Sequence, residues 1–178
     1  MAWDLIEKQV VYDGKKLRLE LHHFRDEESG KRFVREVVVH PGAVTVLPLL
    51  DAETIILLRN NRHAVGTILV ELPAGTLEKG ESPMNCAGRE LLEETGYLAG
   101  RMRPIGTFFT SPGILSEKMY AFAAYDLVKK VRALEEGEDI ELMTATLDEA
   151  IAMIGHGQVQ DGKTIATLLM YERFMRNQ

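Results

Sequence analysis

The chain is 178 residues long, and at roughly 150 residues per domain that suggests one domain with a small appendage. Hydrophobic residues make up 46% and charged residues 27%, ordinary values that exclude a disordered, collagen-like or fibrous protein. The 21 Lys+Arg against 27 Asp+Glu give a net charge of −6, which argues against a nucleic-acid binder. Cys86 is the single cysteine, so a disulfide framework and a cysteine zinc site are both excluded. A reducing cytoplasm is the expected location. No signal peptide and no bilayer-spanning apolar run is read in the chain.

Residues 1–40 read as an N-terminal antiparallel β unit. Strands are predicted over Leu5 to Tyr12 and Lys16 to Phe24, with Asp13-Gly14 as the hairpin signal between them. Leu17, Leu19 and Leu21 alternate with Arg18, Glu20 and His22, which predicts one apolar and one wet face. After the polar turn at Asp26 to Gly30, a third strand is predicted over Lys31 to Val39. Three strands are marginal alone, so this unit must pack on its own chain or on a second copy.

Residues 41–178 form the second predicted unit. Strands are expected at Ala43 to Leu50, Thr54 to Leu58 and Thr67 to Leu72, the last running into Pro73-Ala74-Gly75. A helix follows from Pro83 to Thr95, with Ser82 as N-cap and Gly96 just past its end. Further strands are expected near Arg103 to Phe109, Met119 to Val128 and Ile140 to Ala145. Thr146 to Glu149 is a capping box opening a short helix that stops near Gly155 to Gly157. A final helix, Gly162 to Arg176, places Ile165, Leu168, Leu169 and Met175 on or near one face.

The helix at 83–95 carries the chemistry. Met84, Ala87, Gly88, Leu91 and Thr95 fall on one side, while Glu90, Glu93 and Glu94 share a separate sector. Like charges at that spacing repel by up to about 4 kcal/mol per pair at an effective dielectric of 20. Such carboxylates bind a hard divalent cation or hold a proton. Taken by themselves, they fit better a solvated acidic face with Arg89 paired to Glu93.

The flanking residues separate these alternatives. Gly75, Glu81, Arg89, Glu90, Leu91, Glu93, Glu94 and Gly96 follow the spacing G-x5-E-x7-R-E-U-x-E-E-x-G-U, where U is a bulky aliphatic residue. This resembles the Nudix box of the Nudix hydrolases, with Tyr97 as one departure from its final aliphatic position. Pro112 in Thr110-Ser111-Pro112-Gly113, the run Glu71 to Gly75, and Arg35-Glu36-Val37 before His40-Pro41-Gly42 resemble the ADP-ribose pyrophosphatase subfamily.

The resemblance implies an α/β (α+β) fold, a Nudix-type α/β/α sandwich on a mixed sheet. It implies Mg²⁺ or Mn²⁺ bound by Glu90, Glu94, Glu93 and the carbonyl of Ala74. Glu93 and Glu117 are the candidates for acting on the attacking water, and Arg89 for orienting the carboxylates. Gly75 and Gly96 are expected to permit turns at the two ends of the box. Arg35, Arg62, Phe33, Pro112 and Gly113 form the candidate substrate-binding set, the arginines for phosphates and Phe33 for a base. For Glu117 the alternative is a loop glutamate paired to Lys118, for each arginine a surface salt bridge, and for Phe33 a core position.

The activity implied is hydrolysis of ADP-ribose to AMP and ribose 5-phosphate. GDP-mannose or another nucleotide sugar is the alternative substrate, and a non-catalytic nucleotide sensor the alternative class. A homodimer is also implied, with segment 1–40 exchanged between the copies. The five histidines show no metal spacing, and Cys86 reads as a packed thiol.

Overall fold

A computed structural model describes residues 3–14, 17–134 and 139–176. It divides into two compact units, Met1–Gly42 with Phe109–Lys118, and Ala43–Phe108 with Met119–Gln178.

The first unit is an antiparallel sheet of β1 (Trp3–Asp13), β2 (Arg18–Asp26) and β3 (Arg32–Val39), in the order β1-β2-β3. Asp13 pairs directly with Arg18, so the Asp-Gly signal falls where β1 ends. The expected strand start at Lys16 lies outside the described residues. Loop 109–118 is tied to the sheet by Val38 N–H donating to the Ile114 carbonyl and Ser116 N–H to that of Val38.

The expected division into an apolar and a wet face of β2 is reversed at its centre. Glu20 is the buried residue of β2, whereas Leu17 is exposed. The register puts Glu20 opposite Val10 and Val37, on the face that carries Phe24 stacked on Phe33 at 5.2 Å. His22 Nε2, 2.7 Å from the Glu20 carboxylate, supplies the polar partner that a buried acid requires.

Among the described residues, the second unit holds two sheets and three helices. Strands β4 (Ala43–Pro48), β5 (Thr54–Arg62), β6 (Thr67–Glu71) and β7 (Ala74–Thr76) precede α1 (Pro83–Thr95). After it come β8 (Tyr97–Phe109), β9 (Lys118–Lys129), β10 (Ile140–Thr146), α2 (Leu147–Gly155) and α3 (Gly162–Phe174). One sheet is antiparallel, β10-β5-β6, and the other is mixed, β7-β4-β9-β8, with β4 parallel to β9.

Every residue of β4 is buried, because the strand is covered on both faces. Val44 and Val46 pack with Phe122, Cys86, Ala87 and Leu91 under α1. Leu47 turns the other way, to Leu147, Ala150, Leu168 and Tyr171 of α2 and α3. Alternation along one strand therefore builds two cores, and this is the α/β/α arrangement the resemblance implies.

Two apolar faces differ from expectation. On α1 the buried residues are Cys86, Ala87, Leu91, Glu94 and Thr95, and Met84 is exposed. On α3 they are Thr164, Thr167, Leu168 and Tyr171, with Leu169 exposed. Among the described residues no helix is long and apolar enough to cross a membrane.

Candidate active site

Helix α1 begins where Ser82 Oγ accepts the Asn85 N–H at 3.2 Å and Pro83 supplies a fixed φ. It stops at Gly96, whose φ of +74° is left-handed and whose N–H donates to the Leu92 carbonyl. A Cβ at Gly96 would also meet backbone atoms of Lys130 and Arg132 at 3.2 Å. These limits place Glu90, Glu93 and Glu94 on the last two turns.

Arg89 binds the acidic cluster together. Nε and Nη2 grip Glu81 at 3.0 and 3.1 Å, and Nη1 donates to Glu90 at 2.8 Å and Glu93 at 2.9 Å. Nη2 also donates to the Thr76 carbonyl at 3.3 Å. All five guanidinium N–H groups are then engaged, so Arg89 holds carboxylates and has none left for a phosphate. Its hydrogen bonds hold the Glu81 carboxyl down at about 2, well below the usual range, and Glu81 in turn raises the Arg89 pKa. Burial pushes the Cys86 thiol up to about 12, with its Sγ beside the Thr76 carbonyl. That is the packed, unreactive thiol expected.

Glu94 is only 3% exposed, and its Oε2 accepts the Ala74 N–H at 2.8 Å. The contact joins the end of α1 to β7, a strand that begins inside the Pro73-Ala74-Gly75 run where the sequence predicts no element. Gly75 also serves a different purpose from the turn expected of it. It lies within β7, and a Cβ there would stand 1.8 Å from Glu90 Oε1, so glycine is needed for the carboxylate to lie against the strand.

Among the described residues, no three carboxylate, imidazole or thiol groups form a ready-made cation cage. The reason is visible: Arg89 stands between Glu90 and Glu93, and Glu94 turns to Ala74. The donors nevertheless suit a hard divalent cation, being all carboxylate oxygens, and the bare Cα of Gly75 lets the Glu90 carboxylate lie against β7.

Arg62 is not a surface pair. Its Nε and Nη2 hold Glu71 at 2.8 and 2.6 Å, and Glu71 is 1% exposed. Lys163 Nζ adds a 2.7 Å contact to the same carboxylate and a 2.9 Å contact to Asp161, the N-cap of α3. No local spacing in the sequence groups Glu71 with Lys163 and Asp161, which only the fold brings together.

The remaining candidates lie in the first unit. Arg35 is exposed, with its guanidinium 4.7 Å from the Phe33 ring centroid, and among the described residues it has no carboxylate partner. Phe33 is half-buried and also meets Trp3 edge-on at 4.5 Å. Arg35 and Gly113 line one open hollow of about 560 Å³ with Leu21, Val34, Glu36 and Ile114, while Pro112 is exposed beside it in sequence. Glu117 is held by Thr110, whose hydroxyl donates to Oε2 at 2.7 Å, and its Oε1 stands 3.5 Å from His40 Nδ1.

Comparison with known proteins is consistent with this construction. A NUDIX domain profile matches residues 39–168. The ADP-ribose pyrophosphatase of Bacillus subtilis is 41% identical over 163 residues, covering 89% of this chain and 86% of its own. The methanol dehydrogenase activator of Bacillus methanolicus is 37% identical, covering 90% and 87%. The GDP-mannose pyrophosphatase of Pectobacterium atrosepticum is 34% identical, covering 93% and 91%. The crystal structure of an ADP compounds hydrolase shares the fold at a TM-score of 0.87, covering 99% of this chain and 96% of that one at 20% identity. With the box residues gathered around Arg89 and most of the chain matched, the protein belongs to the Nudix hydrolase family.

Proposed function

We propose that this protein hydrolyses the diphosphate of ADP-ribose, giving AMP and ribose 5-phosphate, with Mg²⁺ or Mn²⁺ as cofactor. The observation that carries this reading is the acidic set Glu90, Glu93 and Glu94 organised by Arg89 and backed by Gly75. Those carboxylates, with the Ala74 carbonyl, would hold the cation. When bound, it supplies charge neutralisation at phosphoryl oxygens and a lowered pKa for water. Glu117 takes the proton of the attacking water, with Glu93 as the competing base. Arg35 offers a phosphate an exposed guanidinium whose Nη1 donates to the Val34 carbonyl at 3.3 Å, and Arg62 offers Nη1, its other edge being taken by Glu71. Phe33, Pro112 and Gly113 complete the substrate-binding set. A chain whose one cysteine is a buried thiol suits the cytoplasm.

GDP-mannose is the second reading, favoured by relatives of that name at 33–35% identity. The intact acidic set disfavours a nucleotide sensor. A panel of nucleoside diphosphate sugars with Mg²⁺, and products analysed in ¹⁸O water, decides among them. ADP-ribose should be turned over fastest, with ¹⁸O in one of the two phosphate products. Faster turnover of GDP-mannose overturns the substrate, and hydrolysis of none of them overturns the enzyme.

The active species is a homodimer built through segment 1–40. Its support is β1, exposed along its whole length and carrying Trp3, Leu5, Ile6, Val10, Val11 and Tyr12 on a sheet edge. An apolar edge strand of this kind calls for a covering partner. Mixing Arg35→Ala and Glu94→Gln chains should restore activity well above either parent, because one shared site collects both lesions and the other neither. Exchange demonstrated by mass spectrometry without recovery would exclude shared sites.

A further inference from the structure

We propose that His40 is a positioning residue for Glu117, holding the proton that Glu117 removes from water; this rests on the reading of Glu117 given above. His40 is held at its backbone and at its ring. Its backbone N–H donates to Ser116 Oγ at 2.9 Å, and its Nδ1 accepts the Gly42 N–H at 3.2 Å. A ring nitrogen that accepts an N–H carries its lone pair there, which puts the ring proton on Nε2. Glu117 Oε1 faces that same Nδ1 at 3.5 Å, while Thr110 occupies Oε2. Both side chains are largely shielded, at 13% and 20% exposure.

Two acceptors therefore face each other with no proton between them. The pair is one proton short, and hydrolysis supplies it. As the water oxygen forms its bond to phosphorus, the water O–H bond breaks and the proton passes to Glu117 Oε1. The bridging P–O bond then breaks, with its electron pair leaving on the departing phosphate. Once protonated, Oε1 is a donor, and His40 Nδ1 stands ready to accept from it. The Gly42 contact is at the long end for an N–H donor, so the lone pair can turn to the new proton. This hydrogen bond forms only as the reaction proceeds, so it favours the transition state over the ground state. Thr110 keeps Oε2 occupied, so the carboxylate presents Oε1 to both water and histidine.

The test compares His40→Asn with His40→Leu, two side chains of nearly the same shape. Asn can place an oxygen acceptor near the position of Nδ1, and Leu cannot. With ADP-ribose and Mg²⁺, Leu should lower kcat by about 30-fold with KM within about twofold, less than the roughly 10²–10⁴ of a general base itself. Asn should recover kcat to within about fivefold of wild type, and His40→Leu combined with Glu117→Gln should be no slower than Glu117→Gln alone. Equal kcat for Asn and Leu, or fully additive losses in the double variant, overturns the role of His40. If Glu117→Gln itself keeps wild-type kcat, the reading of Glu117 fails first. Should the Leu variant not fold, by circular dichroism, His40→Ala makes the same comparison with Asn.

Discussion

Glu94→Gln should lower kcat by about a thousandfold, the scale of removing one preorganised electrostatic group, while thermal unfolding shifts by only a few degrees. The two effects separate because of where the carboxylate sits. Glu94 is buried, and its Oε2 satisfies the Ala74 N–H that joins β7 to α1. Glutamine keeps an acceptor oxygen for that N–H, so no buried donor is stranded. It loses the charge, which relieves repulsion from Glu90 one turn earlier, and exchanges the other carboxylate oxygen for an amide NH2. Glu94→Ala differs: it leaves the Ala74 N–H unpaired and should cost about 1–3 kcal/mol of stability as well as activity. Turnover, Mn²⁺ affinity by titration and thermal unfolding, measured on both variants, make the comparison. Wild-type turnover of Glu94→Gln at saturating Mg²⁺ would remove Glu94 from the cation site.

The limits of α1 were legible in the sequence because caps are local chemistry. Ser82, Pro83 and Gly96 name the helix ends within a few residues, and Thr146 with Glu149 does the same for α2, where both capping hydrogen bonds are present. The acidic sector followed from 100° per residue. What stayed hidden depends on distant partners. On α3, Thr164 and Thr167 reach the core because their hydroxyls are satisfied on the spot. Thr164 Oγ1 donates to Asp161 and accepts the Leu72 N–H, and Thr167 Oγ1 donates to the Lys163 carbonyl. Periodicity counted on apolar residues passes over them. Strand β7 is three residues long, too short to alternate, and it is defined by pairing with Ala43 to Thr45 of β4. Alternation puts Glu20 on a wet face because that rule takes no account of a histidine two residues on.

Glu71→Ala should destabilise the protein by about 3 kcal/mol, the low end for breaking a buried ion pair. Glu71 is the hub of a neutral four-member network, gripped by Arg62 in a fork and by Lys163, which also holds Asp161. Its removal strands Lys163, only 14% exposed, with one carboxylate partner where it had two. Arg62 is 40% exposed and recovers water, which keeps the cost from the upper end. Lys163→Met should cost less, about 1–2 kcal/mol, because the Arg62 fork still satisfies Glu71. The network also joins the end of β6 to the start of α3, where Thr164 Oγ1 accepts the Leu72 N–H at 2.8 Å. Two residues later the chain reaches Ala74 and its contact with Glu94. Glu71→Ala should therefore lower kcat under conditions where the fold is intact, and Lys163→Met much less. Urea unfolding of both single variants and the double variant gives the coupling, expected at about 1–3 kcal/mol for residues in one network. A Glu71→Ala protein as stable as wild type, or single costs that simply add, would show that the four charges act separately.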